Sequence, residues 1–132
     1  MDSLDGIVRA SRALADPTRV RILAALRARA LCVCELVALT GLGQPAVSHH
    51  LAILEAAGFV AHERHGRWVE YRPVRPPAGS LAAAALRAIA ALCATEPELV
   101  RLLDRAASID GRRRTGALPP RGGSGTTTRA RP

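Results

Sequence analysis

The chain has 132 residues, a formal net charge of +8 and three cysteines, and all its basic residues are arginine. That length allows one domain plus extras, burying about two-thirds of the unfolded surface. With one Phe, one Trp and one Tyr, the core must come from Leu, Val, Ile and Ala, and the basic balance suits a polyanion.

Leu4, Ile7, Val8 and Leu14 suggest a first helix ending at Ala15. Asp16-Pro17 restarts the chain with an N-cap and a first-turn proline. The next helix is expected from Pro17 to about Arg29, burying Val20, Ile22, Leu23 and Leu26. Ala30 to Leu36 leads into a short helix, Val33 to Leu39, then a Thr40-Gly41-Leu42-Gly43 turn. Pro45 suits the first turn of the following helix, and Gly58 the position past its end. Val47, Leu51 and Leu54 form its core stripe. The opposite face (Pro45, Ser48, His49, Ala52, Ala56) is small, polar and free of acids. Such a face can sink into a groove and offer Ser and His to base edges, which completes a helix-turn-helix.

Phe59 to Arg64 and Arg67 to Arg72 read as two short strands joined at His65-Gly66. They form a wing whose Arg64 and Arg67 suit phosphate contact. Pro73, Pro76, Pro77 and Gly79 precede a helix with Leu81, Ala82, Ala85, Leu86, Ile89, Leu92 and Cys93 on one face. Thr95 and Glu98 have capping-box spacing for a last helix, with Pro97 in its first turn and Leu99, Val100, Leu102, Leu103 and Ala106 on its apolar side. These two helices exceed what a minimal winged helix-turn-helix needs, so a dimer interface is their simplest use. The expected fold is mainly α with a small β-wing, a dimeric winged helix-turn-helix over residues 1–109. Residues 110–132, which hold Arg112, Arg113, Arg114, Arg121, Arg129 and Arg131, read as a disordered tail. With neither export signal nor membrane span expected, the thiols point to a reducing cytoplasm.

Ala15-Asp16-Pro17-Thr18-Arg19, Cys32-Val33-Cys34-Glu35-Leu36, and Gln44 to Leu51 followed by Leu54 and Gly58 together resemble the ArsR/SmtB family of metalloregulatory repressors. The resemblance covers roughly Leu4 to Leu103. It implies a homodimer on operator DNA that leaves when a metal or metalloid binds, with Leu4–Leu14 and Leu81–Cys93 at the dimer interface. Cys32-Val33-Cys34 looks like the inducer site of the arsenic-sensing branch, which makes Cys32 and Cys34 thiolate ligands for As(III) or Sb(III). The best-known arsenic sensors carry a third Cys where this chain has Val37. The zinc-type site of the family needs Asp and His on the fifth helix, and Leu81 to Cys93 has neither.

A soft ion selects thiolates. Residues i and i+2 lie about 200° apart on a helix but on one side of an extended chain. Gripping one ion with both thiols therefore needs non-helical backbone around Val33, so ligation should unwind or shift the first turn of the short helix and move Ser48 and His49 out of register. Cys93 lies on an apolar stripe and reads as packing, with third-ligand duty as the alternative. Gln44, Pro45, Ser48 and His49 are expected in the major groove. His50 stands nearer the core edge, with a hydrogen-bonded structural role beside its DNA role, and His62 and His65 are expected to face solvent or phosphate. No catalytic constellation is visible. Competing readings are a sensor of Cd(II), Pb(II) or another thiophilic ion, a thiol redox switch, and a winged-helix module that binds protein instead of DNA.

Overall fold

Local chemistry fixes most helix ends. The computed structural model describes residues 2–109. Helix α1 (Leu4–Leu14) starts at Ser3, whose hydroxyl accepts from the Gly6 N–H. Helix α2 (Pro17–Leu26) starts at Asp16, whose carboxylate accepts from Thr18 and Arg19. Strand β1 (Leu31–Cys32) leads directly into α3 (Val33–Thr40), and Gly41 ends that helix in the left-handed region. Helix α4 (Gln44–Ala56) closes when the Phe59 N–H reaches Leu54 O and the Gly58 N–H reaches Glu55 O, with Gly58 at φ 85°. That is the Schellman pattern, in which the residue past the cap needs a left-handed backbone.

Strands β2 (Val60–His65) and β3 (Trp68–Pro73) form the wing, and β1 pairs with the far edge of β3, giving the antiparallel order β1-β3-β2. Helix α5 (Leu81–Thr95) is capped by the Ser80 hydroxyl, while the Asp2 carboxylate takes the Leu81 N–H. Helix α6 (Pro97–Ser108) then lies against α2, with an Arg21–Glu98 ion pair across them. One core joins Ile22, Leu26, Leu36, Leu51, Leu54, Phe59, Ile89 and Leu102. The architecture is a mainly helical winged helix-turn-helix, as expected. No helix among the described residues is long and apolar enough to cross a membrane. The tail, 110–132, lies outside the described residues.

Four local expectations need correction. Helix α2 stops at Leu26, which frees Arg29 to turn inward. Strand β1 was not foreseen. The hairpin loop is Gly66-Arg67, because His65 pairs with Trp68 and Gly66 supplies the left-handed φ of 65°. The Thr95–Glu98 capping box does not form. Helix α5 runs through Thr95, whose hydroxyl donates back to Ala91 O, and Glu96 caps α6 without a side-chain bond.

Candidate functional site

The turn before α4 is held by Thr40, whose hydroxyl donates to Leu36 O at 2.8 Å and accepts from the Leu42 N–H at 3.2 Å. Gly43 begins α4 without a side-chain cap, so the first N–H groups of the helix lack a local side-chain acceptor. Val47, Leu51 and Leu54 are buried, and Gln44, Pro45, Ser48, His49, Ala52 and Ala56 are exposed. The helix therefore presents the face its sequence implied.

His50 stands apart from that face. It is half-buried, with Nδ1 3.0 Å from an Arg19 Nη1. Arg19 also donates to Ala13 O and Arg12 O. One guanidinium thus joins the end of α1, the start of α2 and the middle of α4.

In the wing, Arg64 is exposed on β2 and Arg67 is exposed in the loop. His62 Nδ1 sits 2.9 Å from both Glu55 carboxylate oxygens, tying β2 to α4, and its ring leans on Tyr71. Burial and the Glu55 charge push the Tyr71 phenol up. His65 is half-buried, 3.5 Å from Glu70. His62 is thus exposed, as expected, while resting on Glu55, and His65 turns partly inward, where its Nε2 makes no hydrogen bond among the described residues.

The thiol pair departs most from expectation. Cys32 belongs to β1 and caps α3 with extended backbone (φ −87°, ψ 167°), and Cys34 is the second residue of the helix. The extended Cys32 brings the two Sγ atoms to 3.4 Å. The extended backbone that a shared ion needs is already present at Cys32, so convergence requires no unwinding and the expected switch is left with a shift of the turn. Two thiolate bonds of about 2.3 Å can share one ion when the sulfurs lie within about 4.6 Å, so this pair fits a soft ion.

Beneath the thiols lies Glu35, fully buried. Its Oε1 accepts from the Cys32 N–H at 2.9 Å, and its Oε2 accepts from Arg29 at 3.1 Å. Arg29 also donates to Ile109 O at 2.8 Å and to Ala30 O. Cys32 pairs with Glu70 of β3 in register, and Leu31 with Tyr71. The Glu35 and Arg29 roles were missed at the level of sequence. The spacing of Cys32 and Glu35, that of a capping box, was the available signal.

Cys93 lies half-buried on α5, its thiol pushed up by burial against the opposing charge of Arg27. Among the described residues no group of three or more His, Cys, Asp or Glu could hold a metal ion. Within one chain, Cys93 therefore does not complete the Cys32–Cys34 pair.

Residues 16–62 match the family described as bacterial regulatory protein, arsR family. The chain is 51% identical over 69 residues to the HTH-type transcriptional repressor SmtB of Mycobacterium tuberculosis, covering 52% of this chain and 51% of that protein. It is 48% identical over 62 residues to the arsenic resistance transcriptional regulator ArsR1 of Pseudomonas putida, covering 46% and 48%. It is 41% identical over 61 residues to the uncharacterized HTH-type transcriptional regulator MJ1325 of Methanocaldococcus jannaschii, covering 46% and 68%. The chain spans about half the length of most of these curated relatives. Among solved structures, HlyU from Vibrio cholerae N16961 superposes with a TM-score of 0.57 and 28% identity, over 67% of this chain and 91% of that one.

Proposed function

This chain belongs to the arsR family of bacterial regulatory proteins, and from that premise we propose that it is a cytoplasmic, homodimeric transcriptional repressor whose inducer is As(III) or Sb(III). Gln44, Pro45, Ser48 and His49 read the major groove, His50 braces the reading helix from its inner edge, and Arg64 and Arg67 rest on phosphates. Cys32 and Cys34 hold the inducer as thiolates. The carrying observation is their 3.4 Å approach at the start of the helix that precedes the reader. A relative named for arsenic resistance favours this inducer, with other thiophilic ions such as Cd(II) and Pb(II) as the competing class.

When bound, the soft ion supplies two strong thiolate bonds. The chain's own residues do the rest. Cys32 is held by the Glu35 carboxylate, by the β1–β3 pairing and by its place at the head of α3. Any shift of its sulfur toward Cys34 is therefore felt in two places. One is α3, which packs on α4, and the other is β3, whose far end carries the loop with Arg67. A coupling of about 3 kcal/mol through either route would weaken operator binding roughly a hundredfold.

The expected outcome is one arsenic per chain, with the operator released at saturating arsenite. Cys32→Ser and Cys34→Ser should each abolish both while still binding DNA. Cys93→Ser should change neither. Arsenic bound with undiminished DNA affinity would refute the switch.

A second reading rests on the same 3.4 Å approach. Two thiols this close can be oxidised by peroxide, forming one S–S bond and giving up two electrons and two protons as peroxide becomes two waters. Release by peroxide, with no response to arsenite, would select it.

A further inference from the structure

Besides the face already assigned, α4 borders an open groove of 460 Å³ shared with α1. Ile53 and Ala56 line it from α4, and Val8, Arg9 and Arg12 from α1, with Arg19 at one end. Asp5 is the one acid in its lining, and it is paired with Arg9. Arg19 is spent on α1 carbonyls and on His50. Arg12 is left as an exposed guanidinium with no acidic partner among the described residues.

Position gives that charge a use. Glu55 holds the wing through His62, and Ile53 faces the groove. Two residues apart on a helix lie about 200° apart around its axis, so the wing and the groove flank α4 on opposite sides. Ala56, at the groove edge, is also the last member of the exposed stripe with Ser48 and Ala52. The small side chain of Ala56 leaves the border between that stripe and the groove that Arg12 lines uncrowded.

We infer that Arg12 is a second phosphate contact, gripping the DNA backbone on the side of α4 away from Arg64 and Arg67. This rests on the DNA-binding reading above. It adds affinity without sequence information, since phosphates carry none.

The test starts from the duplex that the full chain selects out of a random pool, with binding measured across a range of salt. Each phosphate contact contributes about 0.9 to the slope of log affinity against log salt. Arg12→Gln should lower that slope by about 1 and weaken binding by a similar factor on every selected sequence. Arg12→Lys should restore the slope, and Arg101→Gln, exposed on α6, should leave it unchanged. A full slope in Arg12→Gln overturns the inference alone. So does a change in oligomeric state at constant slope, which would give the groove to a second copy of the chain. If the full chain selects no duplex, the DNA-reading proposal falls and takes this contact with it.

Discussion

Glu35 is the side chain on which the thiol pair rests. A fully buried carboxylate survives only when its charge and lone pairs are matched, and here Arg29 and the Cys32 N–H do the matching. Removing one partner of such a pair strands the other, at a cost of about 3 kcal/mol. Glu35→Ala should therefore lose about that much in urea unfolding. Glu35→Gln keeps an oxygen for the Cys32 N–H and frees only the partly exposed Arg29, so its loss should be smaller. Equal losses would mean that the Cys32 bond contributes nothing. Asp16 gives a pH-dependent counterpart. Burial pushes its carboxyl up, but the N–H groups of Arg19 and Thr18, together with the positive charges of His50 and Arg19, outweigh that and hold it below its ordinary 3.8. A carboxyl lowered by folding adds stability that is present above pH 3.8 and is lost as the pH falls through its folded value. Asp16→Asn should flatten the acid limb of the urea midpoint measured against pH below 4. An unchanged limb would refute the contribution.

Elements were legible where glycine and proline punctuate them. Pro17, Pro45, Gly41 and Gly58 set the ends of α2, α3 and α4 because each imposes or permits one backbone conformation. Strand β1 was not legible. Two residues show no period, and its pairing with β3 joins Cys32 to Glu70, far away in sequence. The extended backbone of Cys32 belongs to that pairing, so local spacing named both cysteines without showing that their sulfurs already meet. The one-residue slip of the hairpin has a similar origin, because Gly66 could stand at either position of a short loop and the cross-strand partners decide which. The α3–α4 turn offers a direct check. Gly41 has φ 77°, and a Cβ there would meet nothing within 4 Å. The cost of Gly41→Ala is then purely conformational, about 1 kcal/mol. It should appear as a lowered urea midpoint without loss of arsenite binding. No loss of stability would mean that the turn relaxes into another path.

At the scale of the molecule, the large exposed hydrophobic residues gather on two helices. Leu4, Ile7 and Val8 lie on α1 and Leu92 on α5, with Leu4 82% and Leu92 44% exposed. The two helices adjoin, since the Asp2 carboxylate ahead of α1 caps the start of α5. Apolar side chains gathered on adjoining elements favour a partner surface of the same kind, and a two-fold axis supplies one. The double variant Leu4→Asp, Leu92→Asp should sediment as a monomer under conditions in which the unaltered chain sediments as a dimer. Its fold should survive, because exposed substitutions change stability by about 0.5 kcal/mol or less. A monomer carries one α4 and reaches one half-site, so operator affinity should fall steeply. Arsenite binding should not, because Cys32 and Cys34 meet within each chain. A variant that loses both at once would show that the second copy completes the thiol site, since no third ligand for the pair stands among the described residues of one chain.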